Sequence, residues 1–415
     1  MRAAAVPVDA PVGERAVVEF LALSGKALPL LRAWVGDEPD CGVGRGLLTL
    51  ATGDRLTDTV LKEQLAIAHR DARAAGERET SLVYGVFLHT HRQYRLTADH
   101  LVAHFAHFAR WPADTQAGLM LGAFAACGDA SYRAHGDTLV EQQATLAGED
   151  DWPWTSWLAS VRAEQGRVRE AHALAEHALS RFPRSGVAVH ALAHAEHELG
   201  AGPEATAMLD QWLTHDPQAV QSGHLNWHAA LQSLASGDFA DARRRADAAL
   251  RREDVGMRAA TNWRLLLAGQ EPAGRSDPEH LRELLAAPGG MAEVFHTFNL
   301  ALALAVEAAT DDLELLARRA AADRRPDYHE VLAPVVRALA EITAGRPGAA
   351  ADTLGALGEK AERIGGVRVE REIIQDTLAR ALVEAGDPTR AAELLHHRTT
   401  TRHHHAYEDL LLSAR

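Results

Sequence analysis

The chain has 415 residues, 47% of them hydrophobic, and carries a formal net charge of -14 from 57 acidic and 43 basic residues. It is long and apolar enough to bury sizeable cores, yet no apolar run approaches a membrane span. The longest basic run is Arg243-Arg244-Arg245, so a nucleic acid or another polyanion is excluded as a partner.

Ala, Leu, Arg and Glu dominate, and apolar residues recur at three- and four-residue steps along nearly the whole chain, which predicts an all-α fold. The opening MRAAAVPVDAPVGERAVVEF has no uninterrupted apolar stretch behind a basic start and reads as no secretory leader. Cys41 and Cys127 are the only cysteines; they make no metal-ligand spacing and at most one disulfide, which makes a cytoplasmic protein the expectation.

In chain order, residues 1–80 form an N-terminal helical cap whose first helix is VEFLALSGKALPLLRAW. Residues 81–250 carry helix pairs, with weak units around Tyr94–Pro112 and Gly128 and stronger ones after them. In SWLASVRAEQGRVREAHALAEHALSRFP, Gly166 closes one helix, Ala171 and Ala178 are small residues at a helix crossing, and Pro183 stops the next helix. Gly200, Ala205, Trp212 and Pro217 repeat those offsets, and Gly237, Ala242 and Ala249 mark a third unit. Residues 251–325 are an irregular helical connection, interrupted by EPAGRSDPEH and LAAPGG. Residues 326–415 return to repeats, with weaker units at Gly345–Leu357 and at Gly386-Asp387 before Ala391.

Gly166 to Gly200 is 34 residues and Gly200 to Gly237 is 37. A period near 34 with Gly, two small residues and Pro is the tetratricopeptide signature. The expected fold is therefore an all-α tetratricopeptide-repeat solenoid of antiparallel helix pairs in a right-handed superhelix, ten to twelve pairs or partial pairs long. First helices of successive units line its concave surface.

Four stretches carry a closer resemblance: VHALAHAEHELG at 189–200, HLNWHAAL at 224–231, TNWRLLLAG at 261–269 and IGGVRVEREIIQDTLARALVEAG at 364–386. Together they resemble the tetratricopeptide repeat protein 38-like family, over most of the chain from about residue 80. The resemblance implies that His190, His194, His224, Trp227 and His228 sit at the family's motif positions, and that Arg371 and Glu372 match an Arg-Asp pair after Gly365-Gly366. Two places depart from it. Leu121-Gly122 stands where the family has His-Asp, and Thr297 and Asn299 stand where it has Asp and His in a Phe-x-Asp-x-His helix. An activity that needs those polar groups is altered or absent here.

His190 and His194 lie ten and six residues before Gly200; His224 and His228 lie thirteen and nine before Gly237. At about 100° per residue all four fall within about 100° of arc, one helix face. Trp227 shares that phase, and Ser156 and Ser160 continue it into the preceding unit, so the expected groove floor is Ser156, Ser160, His190, His194, His224, Trp227 and His228. Such a floor suits a small molecule or a peptide end. Two HxxxH pairs also suit a divalent ion of zinc type as the one candidate cofactor, although Glu198 points elsewhere and supplies no carboxylate to the face. The alternative function is an enzyme, metal-dependent or using these four histidines as acid and base. Ser156 and Ser160 carry no nucleophile-elbow signature. A structural reading, with the rings bonded only to one another, competes with all of these; four histidines and a tryptophan in phase favour a ligand groove.

Other histidines are expected at the surface: His104 and His107 on an amphipathic helix, His172 and His177 on a second helix, and the exposed, basic 396–405 stretch. Trp263-Arg264 reads as a packing aromatic beside a surface cation, and Arg371–Glu372 as a salt bridge that ties down the last unit. No GxGxxG, Walker, HExxH or CxxC pattern is present, which disfavours nucleotide cofactors. No outer apolar face marks an oligomer interface.

Overall fold

The computed structural model describes residues 9–108, 114–127, 130–248, 255–274, 276–287, 290–291 and 293–414. Pro112, Gly128 and Ala249, three of the residues used above to mark repeat units, lie outside them. Among the described residues the fold is all-helical, a helical-repeat architecture without strands.

The helices are α1 (Val12–Leu21), α2 (Ala27–Asp37), α3 (Gly42–Thr52), α4 (Asp58–Ala75), α5 (Glu77–Thr90), α6 (Tyr94–His107), α7 (Thr115–Gly118), α8 (Gly122–Ala126), α9 (Ala130–Ala147), α10 (Trp152–Glu164), α11 (Val168–Arg181) and α12 (Gly186–Leu199). They continue as α13 (Pro203–His215), α14 (Ser222–Ser236), α15 (Phe239–Ala248), α16 (Val255–Leu267), α17 (Pro278–Ala286), α18 (Val294–Val306), α19 (Thr310–Ala321), α20 (Ala333–Thr343), α21 (Pro347–Gly355), α22 (Arg368–Glu384), α23 (Pro388–Thr401) and α24 (Ala406–Leu412). The chain divides into two compact units, one drawn from Met1–Cys127, Ser131–Leu192 and Trp212–Ser222, the other from Gly128–Ala130, Ala193–Gln211 and Gly223–Arg415. The division passes between Leu192 and Ala193, inside α12, which is nonetheless one unbroken helix.

The punctuation glycines end helices in one recurring way. Gly166, Gly200, Gly237, Gly269, Gly345 and Gly386 all have φ between 63° and 88°. In each case the next residue's N–H reaches the carbonyl five residues back, as in Arg167 to Arg162, Ala201 to Glu196, Asp238 to Ser233 and Asp387 to Leu382. This is the Schellman arrangement, which needs a left-handed residue and so favours glycine. The small residues do what their spacing predicts: Ala171, Ala178 and Ala242 are fully buried, and Ala205 nearly so. Trp212 donates its indole N–H to the Pro183 carbonyl at 3.0 Å, joining two of the marker positions.

In the first unit one core gathers Phe20, Leu31, Trp34, Trp152 and Phe182; a second gathers Leu82, Leu101, Phe105, Phe124 and Trp154. The stretch read as one first helix is two. Leu23 adopts a φ of 53°, the Ser24 hydroxyl donates to the Glu19 carboxylate, and the chain restarts at α2 with Pro29 in its first turn, where a missing N–H costs nothing. In the second unit a large core includes Trp227, Trp263, Phe298 and Tyr328, drawn mainly from α14, α16, α18, α20 and α22. Burying each such ring contributes about 1.5–3 kcal/mol. Residues 255–321 supply α16 and α18 to that core, and Gly256 lets the two helices approach: a Cβ there would stand 3.0 Å from the Asn299 side chain.

Several charged side chains lie deeper than their sequence phase implied. His104 is 2% exposed rather than on a surface, and Arg264, read as a surface cation, is 3% exposed. Glu372 pairs with Arg402 at 2.6 Å and with His197 at 3.0 Å, whereas Arg371 donates to the Gly366 carbonyl. Neighbours i and i+1 on a helix point about 100° apart, so α22 turns Glu372 inward without Arg371. In the 396–405 stretch His396, His397 and His403 are exposed as expected, but Arg398 and Arg402 between them are buried.

Candidate functional site

α12 and α14 bring the histidines together. His194 and His228 meet edge to face with ring centroids 4.6 Å apart, and His224 lies 5.0 Å from His228. Trp227 packs on both, 5.5 Å from His224 and 5.1 Å from His228. His228 is 1% exposed and His194 7% exposed. His190 is one turn before His194 on the same helix, so the helix itself holds it beside the cluster. One ring nitrogen from each of His190, His194, His224 and His228 lies within 4.8 Å of the others.

Burial sets the charge state of these rings. Desolvation, helped by nearby His224 and His197, lowers His194 to about 3, and desolvation lowers His224 to about 4. Both are neutral at pH 7. Neutral imidazole is the form that ligates a metal, and nitrogen donors suit zinc, copper or nickel better than magnesium or calcium. A tetrahedral zinc at about 2.0–2.1 Å from each nitrogen would set them about 3.3 Å apart, a contraction within reach of ring rotation. The residues present therefore fit such an ion. An imidazole lowered to about 3 or 4 is neutral at pH 7 and offers a lone pair.

A cavity of about 160 Å³ opens beside the cluster inside the second unit, lined by His224, Trp227, Phe295, Asn299, Leu302 and Glu370 among others. Trp227 is 1% exposed and its indole N–H is buried without an acceptor among the described residues. Asn299 on α18 lines this cavity, while Thr297 is fully buried and donates to the Gly290 and Glu293 carbonyls.

Ser156 and Ser160 sit on α10 in the first unit. Ser156 is fully buried and donates to the Trp152 carbonyl at 2.6 Å; Ser160 donates to the Ser156 carbonyl at 3.3 Å. Phe295 and Glu370 were not among the expected site residues, and Asn299 was marked in the sequence only as standing at a His position of the resembled helix. Their signal is tertiary: α16, α18 and the start of α22 border one cavity with α14.

Glu198 lies near Arg368 at 3.4 Å and Arg402 at 3.8 Å, within a buried ionic network next to the cluster. Arg398 joins Asp376 at 2.7 Å and Glu408 at 2.9 Å, and Arg402 joins Glu372 and Glu408. Burial opposes the charge on Glu372, yet Arg402, Arg398 and His197 hold its carboxyl well below the usual range. His197, a near neighbour of the cluster in sequence, belongs to this network and not to the four-histidine set.

A tetratricopeptide repeat family model matches residues 162–224, the span from the end of α10 into α14. The chain is thus a helical-repeat protein with tetratricopeptide repeats. A comparison with curated proteins finds no match. No described helix is long and apolar enough to cross a membrane.

Proposed function

We propose that this protein is a tetratricopeptide-type binding protein that takes a small ligand at the cluster of α12 and α14 through a divalent ion of zinc type. The observation that carries this reading is the convergence of four histidine nitrogens within 4.8 Å. Their neutrality supports it, as does the adjoining cavity, whose about 160 Å³ suits a ligand of few atoms. Trp227 and Phe295 supply apolar walls, while Asn299 and Glu370 supply polar ones. In the same reading the chain is a cytoplasmic member of the tetratricopeptide repeat protein 38-like family, with Asn299 altering the ligand that its relatives' His would favour.

A second reading has an organic ligand in the same cavity without an ion. The buried Trp227 N–H, which lacks an acceptor among the described residues, favours it, since a ligand oxygen would satisfy that donor.

The test is elemental analysis of untagged full-length protein after zinc loading and desalting. Wild type is compared with His194→Ala/His228→Ala and with a variant in which His396, His397, His403, His404 and His405 are Gln. One equivalent of metal, lost in the first variant and kept in the second, is expected. Protein of unchanged helicity that holds no metal after loading, or loses it only in the second variant, overturns the ion and leaves the organic ligand.

A further inference from the structure

In the first unit, away from the four-histidine cluster, Ser81, His104 and Asp114 form a connected chain. Ser81 stands on α5, His104 on α6, and Asp114 caps α7 with its Oδ1 accepting from the Gln116 N–H at 3.2 Å. Ser81 Oγ is 2.9 Å from His104 Nδ1, and His104 Nε2 is 3.3 Å from Asp114 Oδ2. His100, one turn before His104, places Nε2 at 2.8 Å from the Ser81 carbonyl and 3.2 Å from Ser81 Oγ.

The proton positions follow from the acceptors. Burial opposes charge on Asp114, but the His104 hydrogen bond and the Arg78 guanidinium at 2.8 Å together hold its carboxyl below the ordinary range, so it is ionised. A carboxylate only accepts, which puts a His104 hydrogen on Nε2, and in the neutral ring this leaves Nδ1 a bare lone pair. Ser81 must then donate its hydroxyl hydrogen to Nδ1. The Ser81 carbonyl likewise accepts only, so His100 carries its hydrogen on Nε2, beside Ser81 Oγ. The roles are those of nucleophile, base and orienting carboxylate, with the two imidazole nitrogens exchanged relative to the usual serine hydrolase arrangement.

These groups open on a surface pocket of about 1070 Å³ lined by Ser81, His100 and His104 together with Tyr84, Phe108 and Arg73. Tyr84 and Phe108 offer apolar surface to an acyl group, and Arg73 offers a cation to a carboxylate or other anionic part.

We propose that Ser81 is a catalytic nucleophile, His104 its general base and Asp114 a positioning residue, and that this pocket hydrolyses a carboxylic ester. Ser81 Oγ bonds to the ester carbonyl carbon while its hydrogen passes to His104 Nδ1. His100 Nε2–H is close enough to donate to the oxyanion. The bond from carbon to the alcohol oxygen then breaks, and the proton on Nδ1 goes to that oxygen. Water repeats the sequence on the acyl-serine, giving its proton to Nδ1 and releasing the acid as the proton returns to Ser81.

The experiment treats the full-length protein with an alkyl fluorophosphonate, follows adduct formation by intact mass and maps it by peptide mass spectrometry; 4-nitrophenyl acetate turnover is measured in parallel. One adduct at Ser81 is expected, absent in Ser81→Ala, a change that suits a helix and leaves the His104–Asp114 bond in place. His104→Gln slows labelling and turnover by at least about 100-fold. Asp114→Asn lowers the maximal labelling rate while the half-saturating reagent concentration stays the same, a split that loss of structure would not produce. Native wild type that takes no adduct at Ser81, or labelling unchanged by His104→Gln in protein of wild-type helicity, overturns the proposal.

Discussion

Arg402 and Glu372 meet at 2.6 Å with side-chain exposures of 4% and 8%, an ion pair between two segments 30 residues apart that is almost wholly removed from water. Removing one partner of such a pair leaves the other charge buried, at a cost of about 3–5 kcal/mol. Glu372→Ala takes the nearer of two carboxylates from Arg402, leaving Glu408 at 2.9 Å, and a partner from His197 as well, which sets the cost at the lower end of that range. Urea denaturation followed by far-UV circular dichroism is expected to show a destabilisation of that size, with Glu372→Gln milder because it still accepts a hydrogen bond. A loss under about 1 kcal/mol for Glu372→Ala would mean that water reaches the network.

Two buried tryptophans separate packing from hydrogen bonding. Trp263 is 3% exposed and donates to Thr377 Oγ1 at 2.9 Å, whereas the indole N–H of Trp227 is buried without an acceptor among the described residues. Replacing either by Phe removes similar volume, but only Trp263→Phe also breaks a hydrogen bond, a difference of about 1 kcal/mol. In ligand-free protein Trp227→Phe is therefore the milder change by chemical denaturation. Equal costs would contradict the assignment of Trp227 N–H as unmet.

Acid should weaken the first unit through His89. Burial lowers this histidine from its ordinary 6.5 to about 4. Between those values the unfolded chain binds a proton that the native state refuses, so the contribution is complete above about 6.5 and is lost as pH falls toward 4. Because the ring keeps some exposure to solvent, the loss between pH 7.5 and 5 is expected at about 1 kcal/mol, less than the full linkage value. Comparing wild type with His89→Gln at both pH values isolates it: the variant's stability falls less on acidification. Parallel losses would show that His89 titrates normally.

Gly200 tests the helix-ending motif. Its φ is 63°, and a Cβ there would stand 2.6 Å from Arg402 Cβ. The next segment also depends on it, since His403 and His404 donate their backbone N–H groups to the Leu199 and Gly200 carbonyls at 2.9 Å. Gly200→Ala combines left-handed strain with a steric clash and should cost about 2 kcal/mol or more. Gly345→Ala, with φ of 71° but nothing near the added Cβ, should cost only about 1 kcal/mol. The thermal midpoints of the two variants give the comparison.

Helix pairs, their ends and their small contact residues were legible in the chain because each is a local matter. A Schellman end needs one left-handed residue at one offset, and Gly166, Gly200 and Gly237 announce it. The shared face of His190, His194, His224 and His228 was legible for the same reason: a helix repeats every 3.6 residues, so spacing along it is direction around it. Spacing also put VEFLALSGKALPLLRAW into one helix, and there a positive φ at Leu23 and the proline of the following turn prevailed.

What the sequence by itself determined is therefore which residues share a helix face and where each helix stops. Which charged faces turn inward was decided only by the tertiary structure. His104 lies on an amphipathic helix and becomes interior because Ser81, 23 residues earlier, and Asp114, ten later, satisfy both of its nitrogens. Arg402, flanked by surface histidines, becomes interior because Glu372 and Glu408 wait for it there. A charge can be buried only where a partner repays its lost hydration, and the partners are brought by helices that local periodicity does not relate to one another.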